Sequence, residues 1–262
     1  MIAAEESYET VQHAFRTRRD AILRSENGWL ATTGLTVLTE GENALAFGRI
    51  TLEGDTVRLA VHPHVHVTRL GQPVRELRLR ADQDDDIVTM GNVTHQLIRR
   101  GDTLAIRSRD PSHPRRLSFL GAEWFPIHPD FRVEARAIPL GTPRTQDLAY
   151  SVAAREAWTC EYVLVFRHAG VLYSLEPIVE PRRLLVLFRD ATGDGETYPA
   201  GRYLHAPLPR HGRAVLDFNQ ALTPGCAYSD HVMCPLPPER NTLPFRVEAG
   251  EKRPRWAPDA PP

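Results

Sequence analysis

Residues 44–62 read ALAFGRITLEGDTVRLAVH, two short β-type runs at 44–52 and 56–62 on either side of a Glu-Gly-Asp turn. The same texture extends in both directions. Further runs lie at 76–79, 86–90, 95–100, 103–109 and 117–120, parted by turn texts such as GN, RGD and DPSHP. A second series occupies 131–137, 162–167, 171–178, 183–188 and 214–217, with HAG (168–170) and EPRR (180–183) as connections of a meander. Many short strands with few helices predict a mainly β fold, here two packed antiparallel β units of sandwich or barrel type.

One helix is expected, at the start. Between residues 6 and 24 the apolar Tyr8, Val11, Phe15 and Ile22 recur at helical spacing, with Arg16, Arg18, Arg19 and Arg24 mostly on other faces. Gly28 stands where a helix-ending glycine belongs. The expected organisation is a helix over 1–28, a β-rich region over 29–253 and a Pro-rich tail over 254–262. The two β units meet near 138–158, with a linker at 141–147 and a short helix at 153–157. The tail has four prolines in nine residues, so it is expected to be extended and outside any ladder.

The chain has 262 residues, enough for a core that stands without a metal or disulfide framework. Its 32 Lys and Arg balance 33 Asp and Glu, a formal net charge of -1, so no bulk attraction to nucleic acid or anionic lipid operates. The first thirty residues carry charges throughout, unlike a secretory signal, and no segment reaches the apolar length of a membrane-spanning helix. As written, the chain reads as soluble and cytoplasmic. Three cysteines, Cys160, Cys226 and Cys234, leave at least one unpaired.

From Phe188 the text changes to FRDATGDGETYPAGRYL, then VLDFNQALTPGCAYSDHVMCPLPPERN and LPFRVEAGE. Glycines 193, 195 and 201 and prolines 224, 235, 237 and 238 imply a stiff, irregular loop. The candidate catalytic residues are Arg202, Asp217, Tyr203 and Cys226, and the candidate ligand-binding residues are Tyr198, Asn219, Tyr228 and Asn241. Arg202 between two phenols offers donors to an anionic oxygen. Asp217 offers a carboxylate base, and Asn219 would fix orientation.

Each has a plainer reading. Arg202 could pair with Asp190 or Asp217 and bind the halves of the motif, and Asp217 with Asn219 could satisfy the backbone of the loop beyond them. Cys226 and Cys234 could form a disulfide, stay as buried thiols, or supply a nucleophile or a metal ligand. His62, His64 and His66 alternate in HPHVHV, which on a strand would put three imidazoles on one face, although Pro63 argues for an edge. The run DQDDD at 82–86 reads as a solvated turn and lacks the spacing of a calcium loop. No nucleophile elbow, phosphate loop, dinucleotide fingerprint or zinc-protease text is present. No cofactor or metal is implied.

The strings TYPAGRYL, LDFNQALTPGCAY and CPLPPERNTLPFRVEAGE resemble the bacterial family catalogued as domain of unknown function 1684, with supporting text in FRTRRDAIL, LIRRGDTLAIRSRD and EWFPIHPDFRVEAR. Thr223, Pro224, Gly225 and Pro199 depart from the family's usual residues. The resemblance implies an architecture and a set of positions, without a reaction. Taken together, these readings predict a small-molecule-binding protein or cofactor-independent enzyme with an Arg/Asp/Tyr-lined pocket. The alternative is a non-catalytic module in which the C-terminal motif braces a rigid loop.

Overall fold

The computed structural model describes residues 7–83, 86–152 and 154–258. The chain enters through α1 (Tyr8–Arg24), whose N-cap Ser7 accepts from the Thr10 amide at 3.2 Å and fills one of the orphan donors of the first turn. The N-terminal β half follows: β1 (Thr32–Val37), β2 (Gly41–Leu45), β3 (Gly48–Glu53), β4 (Thr56–Val61), β5 (Thr68–Arg69), β6 (Gln72–Pro73), β7 (Glu76–Leu79), β8 (Val88–Met90), β9 (Val93–Arg100) and β10 (Thr103–Arg109). They form a six-stranded sheet, β1-β10-β9-β8-β5-β6, and a four-stranded one, β2-β3-β4-β7.

Period-2 patterning sets the register of this half. Gly48, Ile50 and Leu52 point inward from β3, and Val57, Leu59 and Val61 from β4, while Arg49, Glu53 and Arg58 face water. These side chains meet Leu97, Leu104 and Ile106 of the larger sheet in one apolar cluster. The strands β9 and β10 are covered on both faces. Leu97, Leu104 and Ile106 serve that cluster, whereas Ile98 and Ala105 pack with Tyr150 and Met233 of the second half.

The second half comprises α2 (Pro114–Leu117), β11 (Phe119–Trp124), β12 (Arg132–Ala149), β13 (Arg155–His168), β14 (Val171–Leu175), β15 (Ile178–Glu180), β16 (Arg183–Phe188), β17 (Arg202–Pro207), β18 (Arg213–Asp217) and β19 (Glu251–Trp256). Its sheets are β14-β13-β12-β18, β15-β16-β17 and β11-β19, and every named strand pairing is antiparallel. Phe166, Phe188, Leu204, Leu216 and Phe218 fill the core between them. The mainly β, antiparallel architecture with an N-terminal helix is as expected.

Several local expectations change. The run 44–52 divides into β2 and β3 at a turn through Ala46 and Phe47. The supposed linker at 141–147 belongs to β12, and residues 155–157 start β13 rather than a helix, because the two strands pair from Ala149↔Arg155 back to Arg136↔Val165 around a bulge between Pro139 and Arg144. The ladder continues into the tail, where Pro254 pairs with Ala122 and Trp256 with Phe119. A two-stranded sheet leaves its proline an edge on which no amide donor is needed. Residues 259–262 and Ala153 lie outside the described residues.

The helix docks differently from its apolar pattern. Val11 and Ile22 are exposed, and the buried positions are Gln12 and Leu23. Its inward face is mostly polar: Tyr8, Gln12, Arg16 and Arg19 bond residues of the second half. Gly28 has φ -72° and does not end α1 in a left-handed turn. Its role is close approach, since a Cβ there would lie 2.6 Å from the Leu23 carbonyl oxygen.

Candidate functional site

Asp217 ends β18 and caps the short turn that follows, accepting from the Asn219 amide at 3.1 Å. Its carboxylate also accepts from the Tyr8 hydroxyl at 2.9 and 3.0 Å, the Gln12 amide at 2.9 Å and the Asn219 side-chain amide at 3.1 Å. Asn219 is wholly buried and bonds both the amide and the carbonyl of His128, at 2.8 and 2.9 Å. Burial, reinforced by Asp217, pushes the Tyr8 phenol far above its ordinary pKa, so it remains a donor. With so many donors on one carboxylate, Asp217 is held in a single orientation.

This cluster forms part of the floor of a cleft of about 840 Å³ between α1 and the strands β17 and β18, lined by Tyr8, Gln12, Arg132, His205, Val215 and Asp217 among others. Arg132 has a half-exposed side chain, with Nε 4.0 Å from Asp217 and its guanidinium 5.9 Å from the centre of the Tyr8 ring. Burial, helped by Arg183, holds the His205 imidazole below its ordinary pKa, and its Nδ1 is buried without a partner. Gln12 Oε1 is likewise buried and unbonded. Of the expected site residues, Asp217 lines this cleft and Asn219 holds it from behind.

Arg202 is elsewhere. Gly201, at φ +114°, could not be replaced without a Cβ 2.6 Å from the Phe188 carbonyl oxygen, and this tight backbone turns Arg202 into the core. There the fully buried guanidinium pairs with Asp190 at 2.9 Å and donates to the carbonyls of Ala249 and Val247 at 2.5 and 2.8 Å. Asp190 accepts in addition from Thr192 and from the Val247 amide. The ion pair ties the start of the motif to its end, which is the plainer of the two readings of Arg202.

Tyr228 is also fully buried and donates to Glu251, which Gly250 (φ +84°) presents to the core. The Glu251 carboxylate meets Arg19 of α1 at 3.2 Å and the Thr223 amide at 3.0 Å. Burial dominates these favourable contacts and raises its pKa to about 7. Asn241 lies in a third place. Its side chain accepts from the Glu176 amide at 2.8 Å and donates to the carbonyls of Glu176 and Leu187 at 2.9 and 2.8 Å, taking over backbone groups of strands that part here.

Cys226, Cys234, Tyr198 and Tyr203 form a fourth group with Val232 and Trp29. Both cysteines are buried free thiols, and the Cys226 amide donates to Cys234 Sγ at 3.2 Å. The Tyr203 hydroxyl donates to the Pro235 carbonyl at 2.5 Å. The structure therefore distributes the eight residues over separate places instead of one shared pocket.

Histidines 62, 64 and 66 leave the ladder, since β4 ends at Val61 and the Val65 amide turns back to the His62 carbonyl. Asp86, expected in a solvated turn, is buried and paired with Arg69 and Arg80, while Asp84 and Asp85 lie outside the described residues. Among the described residues no three His, Cys, Asp or Glu side chains converge as metal ligands, and no helix is long and apolar enough to cross a membrane. Tyr8, read as part of the apolar face of the helix, and Gln12, Arg132 and His205 were not among the site residues expected from the sequence. The helical spacing of Tyr8 and Gln12 with Arg16 and Arg19 was the available signal, a polar stripe on the docking face of α1.

An antiparallel β protein with a C-terminal segment braced by buried ion pairs and amides is the class that these observations define. The chain belongs to the family described as "Protein of unknown function (DUF1684)", whose model matches residues 117–252. Among solved structures it is similar to an uncharacterised protein of Haloarcula marismortui determined in solution by NMR, with 38% identity over 52% of this chain and 78% of that one and a TM-score of 0.45. A comparison with curated proteins finds no match.

Proposed function

We propose that the chain is a small-molecule-binding protein whose ligand occupies the cleft between α1, β17 and β18. The observation that supports this reading is that a half-exposed Arg132 and a His205 whose pKa burial lowers line one cleft with Asp217, which Tyr8 and Asn219 hold still. Asp217 is already covered by donors, so Arg132 has most of its five N–H groups available. Val11, Pro129, Pro207 and Val215 line the same cleft with apolar surface. A small carboxylate with an apolar tail fits that chemistry: the anion at Arg132, a hydrogen bond at His205 and the tail against the prolines and valines.

In this reading the C-terminal motif is the frame of the site, and Arg202, Tyr228 and Asn241 act by bracing. The test is a thermal-shift panel of short aliphatic and aromatic carboxylates against the wild-type chain and Arg132→Gln. A member of the panel should raise the wild-type melting temperature and leave the variant unmoved. The free variant should melt within about 0.5 kcal/mol of wild type, as a surface change does. Equal shifts in both proteins, or none in the wild type, would count against the cleft and favour the non-catalytic bracing module alone.

A further inference from the structure

The thiol group is built in a way that bracing does not require. Cys226 and Cys234 are separated by seven residues, yet the turn at Gly225–Ala227 and the return through Val232 bring the Cys226 amide 3.2 Å from Cys234 Sγ. A Cβ at Gly225 would stand 2.9 Å from Val232 and 3.0 Å from the Trp29 ring, so the loop closes this tightly only with glycine there. The Cys234 thiol lies within hydrogen-bonding reach of the Cys226 sulfur, and the Tyr198 hydroxyl donates to the Cys226 carbonyl at 3.4 Å. The Ser151 hydroxyl donates to the Val232 carbonyl at 3.0 Å and accepts from the Cys234 amide at 3.1 Å.

A second, independent feature adjoins the pair. Arg107 of β10 is 4% exposed, lies over the Trp29 ring at 5.4 Å, and has Nε and Nη2 buried with no acceptor. The charges acting on it include Arg100 and Arg109, which repel it, and Asp82 and the Cys234 sulfur, which attract it. A buried cation short of acceptors favours negative charge on the thiol pair, whichever sulfur carries it. Other titratable groups about the pair include the Tyr203 phenol, on which Tyr150 acts, and Asp230, which acts on Tyr198.

We propose that Cys226 and Cys234 are a redox-active thiol pair that reacts with a small-molecule disulfide and closes into a disulfide of its own. The Cys226 thiolate attacks one sulfur of R–S–S–R; the new S–S bond forms as the old one breaks, and the departing thiolate leaves as R–SH with the proton that Cys226 gave up. Cys234 then attacks the Cys226 sulfur of the mixed disulfide and expels the second R–SH, which takes the Cys234 proton. The protein loses two electrons and two protons, and the small disulfide becomes two thiols. Cys226 is the attacking sulfur because the Cys234 thiol donates to it and lowers its pKa to about 7, whereas that donation and burial push its partner far up. At 7% and 5% exposure the pair admits a small reagent in preference to a bulky protein oxidant.

Cys160 provides the internal comparison. It is buried, its thiol donates to the Tyr162 carbonyl at 3.0 Å, and burial with Glu176 raises its pKa. The reduced full-length protein is incubated with oxidised glutathione at neutral pH, then mapped by mass spectrometry. The expected product has a Cys226–Cys234 disulfide, a free Cys160 and no retained glutathione. Cys234→Ser should instead accumulate glutathione on Cys226, and Cys226→Ser should take up at least tenfold less on Cys234. Because either variant could fold poorly, the wild type is also alkylated natively across pH, where Cys226 should react with a half-maximal rate near pH 7 and Cys160 should stay unlabelled. Two free thiols after glutathione treatment of the folded chain, a disulfide through Cys160, or equal alkylation of Cys160 and Cys226 would overturn the proposal. None of these readouts depends on the cleft.

Discussion

In the N-terminal half, Ile50, Leu52, Val57 and Leu59 sit in hairpins whose turns are two residues long, and what they bury is hydrocarbon. Between Phe188 and Glu251 the buried side chains include Arg202, Asn219, Asn241 and Glu251, and most of what they touch is backbone. The difference follows from where the chain leaves the ladder. A hairpin strand satisfies its own amides and carbonyls with its neighbour, so its inward side chains can be apolar. A segment with few ladder partners leaves its backbone groups to be satisfied by side chains, which must then be polar and held in one geometry. The first kind of core tolerates a change of shape, and the second kind does not.

That contrast can be broken at three points. The largest effect is expected at Arg202→Leu, which strands Asp190 and the carbonyls of Val247 and Ala249 in the core. Loss of one member of a buried pair costs about 3 to 5 kcal/mol. Urea unfolding should show it, and Arg202→Lys should recover little, since one ammonium cannot reproduce the fork. Full recovery by lysine would mean that charge alone matters and would erase the distinction.

Leu59→Ala should cost about 3 kcal/mol by the same assay, as a leucine cavity does, and Leu59→Met should restore most of it. The third effect is a pH slope. Glu251 has its folded-state pKa raised to about 7 from an ordinary 4.5. Between those values the folded chain holds a proton that the unfolded chain has released. The contribution is complete below pH 4.5 and is lost as the pH climbs to about 7, at up to about 1.4 kcal/mol per unit. Glu251→Gln should flatten wild-type stability across that window. An unchanged slope would place the dependence on another group.

Much of this was legible in the chain itself. The strands at 76–79, 103–109 and 183–188 were readable to the residue because each has a turn text at one or both ends and buried apolar residues such as Leu79, Ile106 and Val186 between them. The helix was readable as a helix, but its docking face was not: Tyr8, Gln12 and Arg19 find Asp217 and Glu251 more than 200 residues away, and helical spacing alone cannot say that a polar stripe is the buried one. The long hairpin of β12 and β13 was hidden by glycine and prolines at 139–143, which in place of a linker make its bulge.

The C-terminal motif shows the limit most clearly. Its composition, dense in Arg, Asp, Asn, Tyr and Gly, declared that the residues 188–251 would be irregular and internally bonded, since such side chains are buried only when each finds a partner. Which partner each one finds was decided by the tertiary structure. Arg202 could have faced Asp190, Asp217 or solvent. It faces Asp190 because Gly201 folds the backbone against Phe188 and Val247 and Ala249 return their carbonyls to the same point. Local sequence determines which groups need satisfaction; only the packed chain, with its distant strands and helix in place, determines who supplies it.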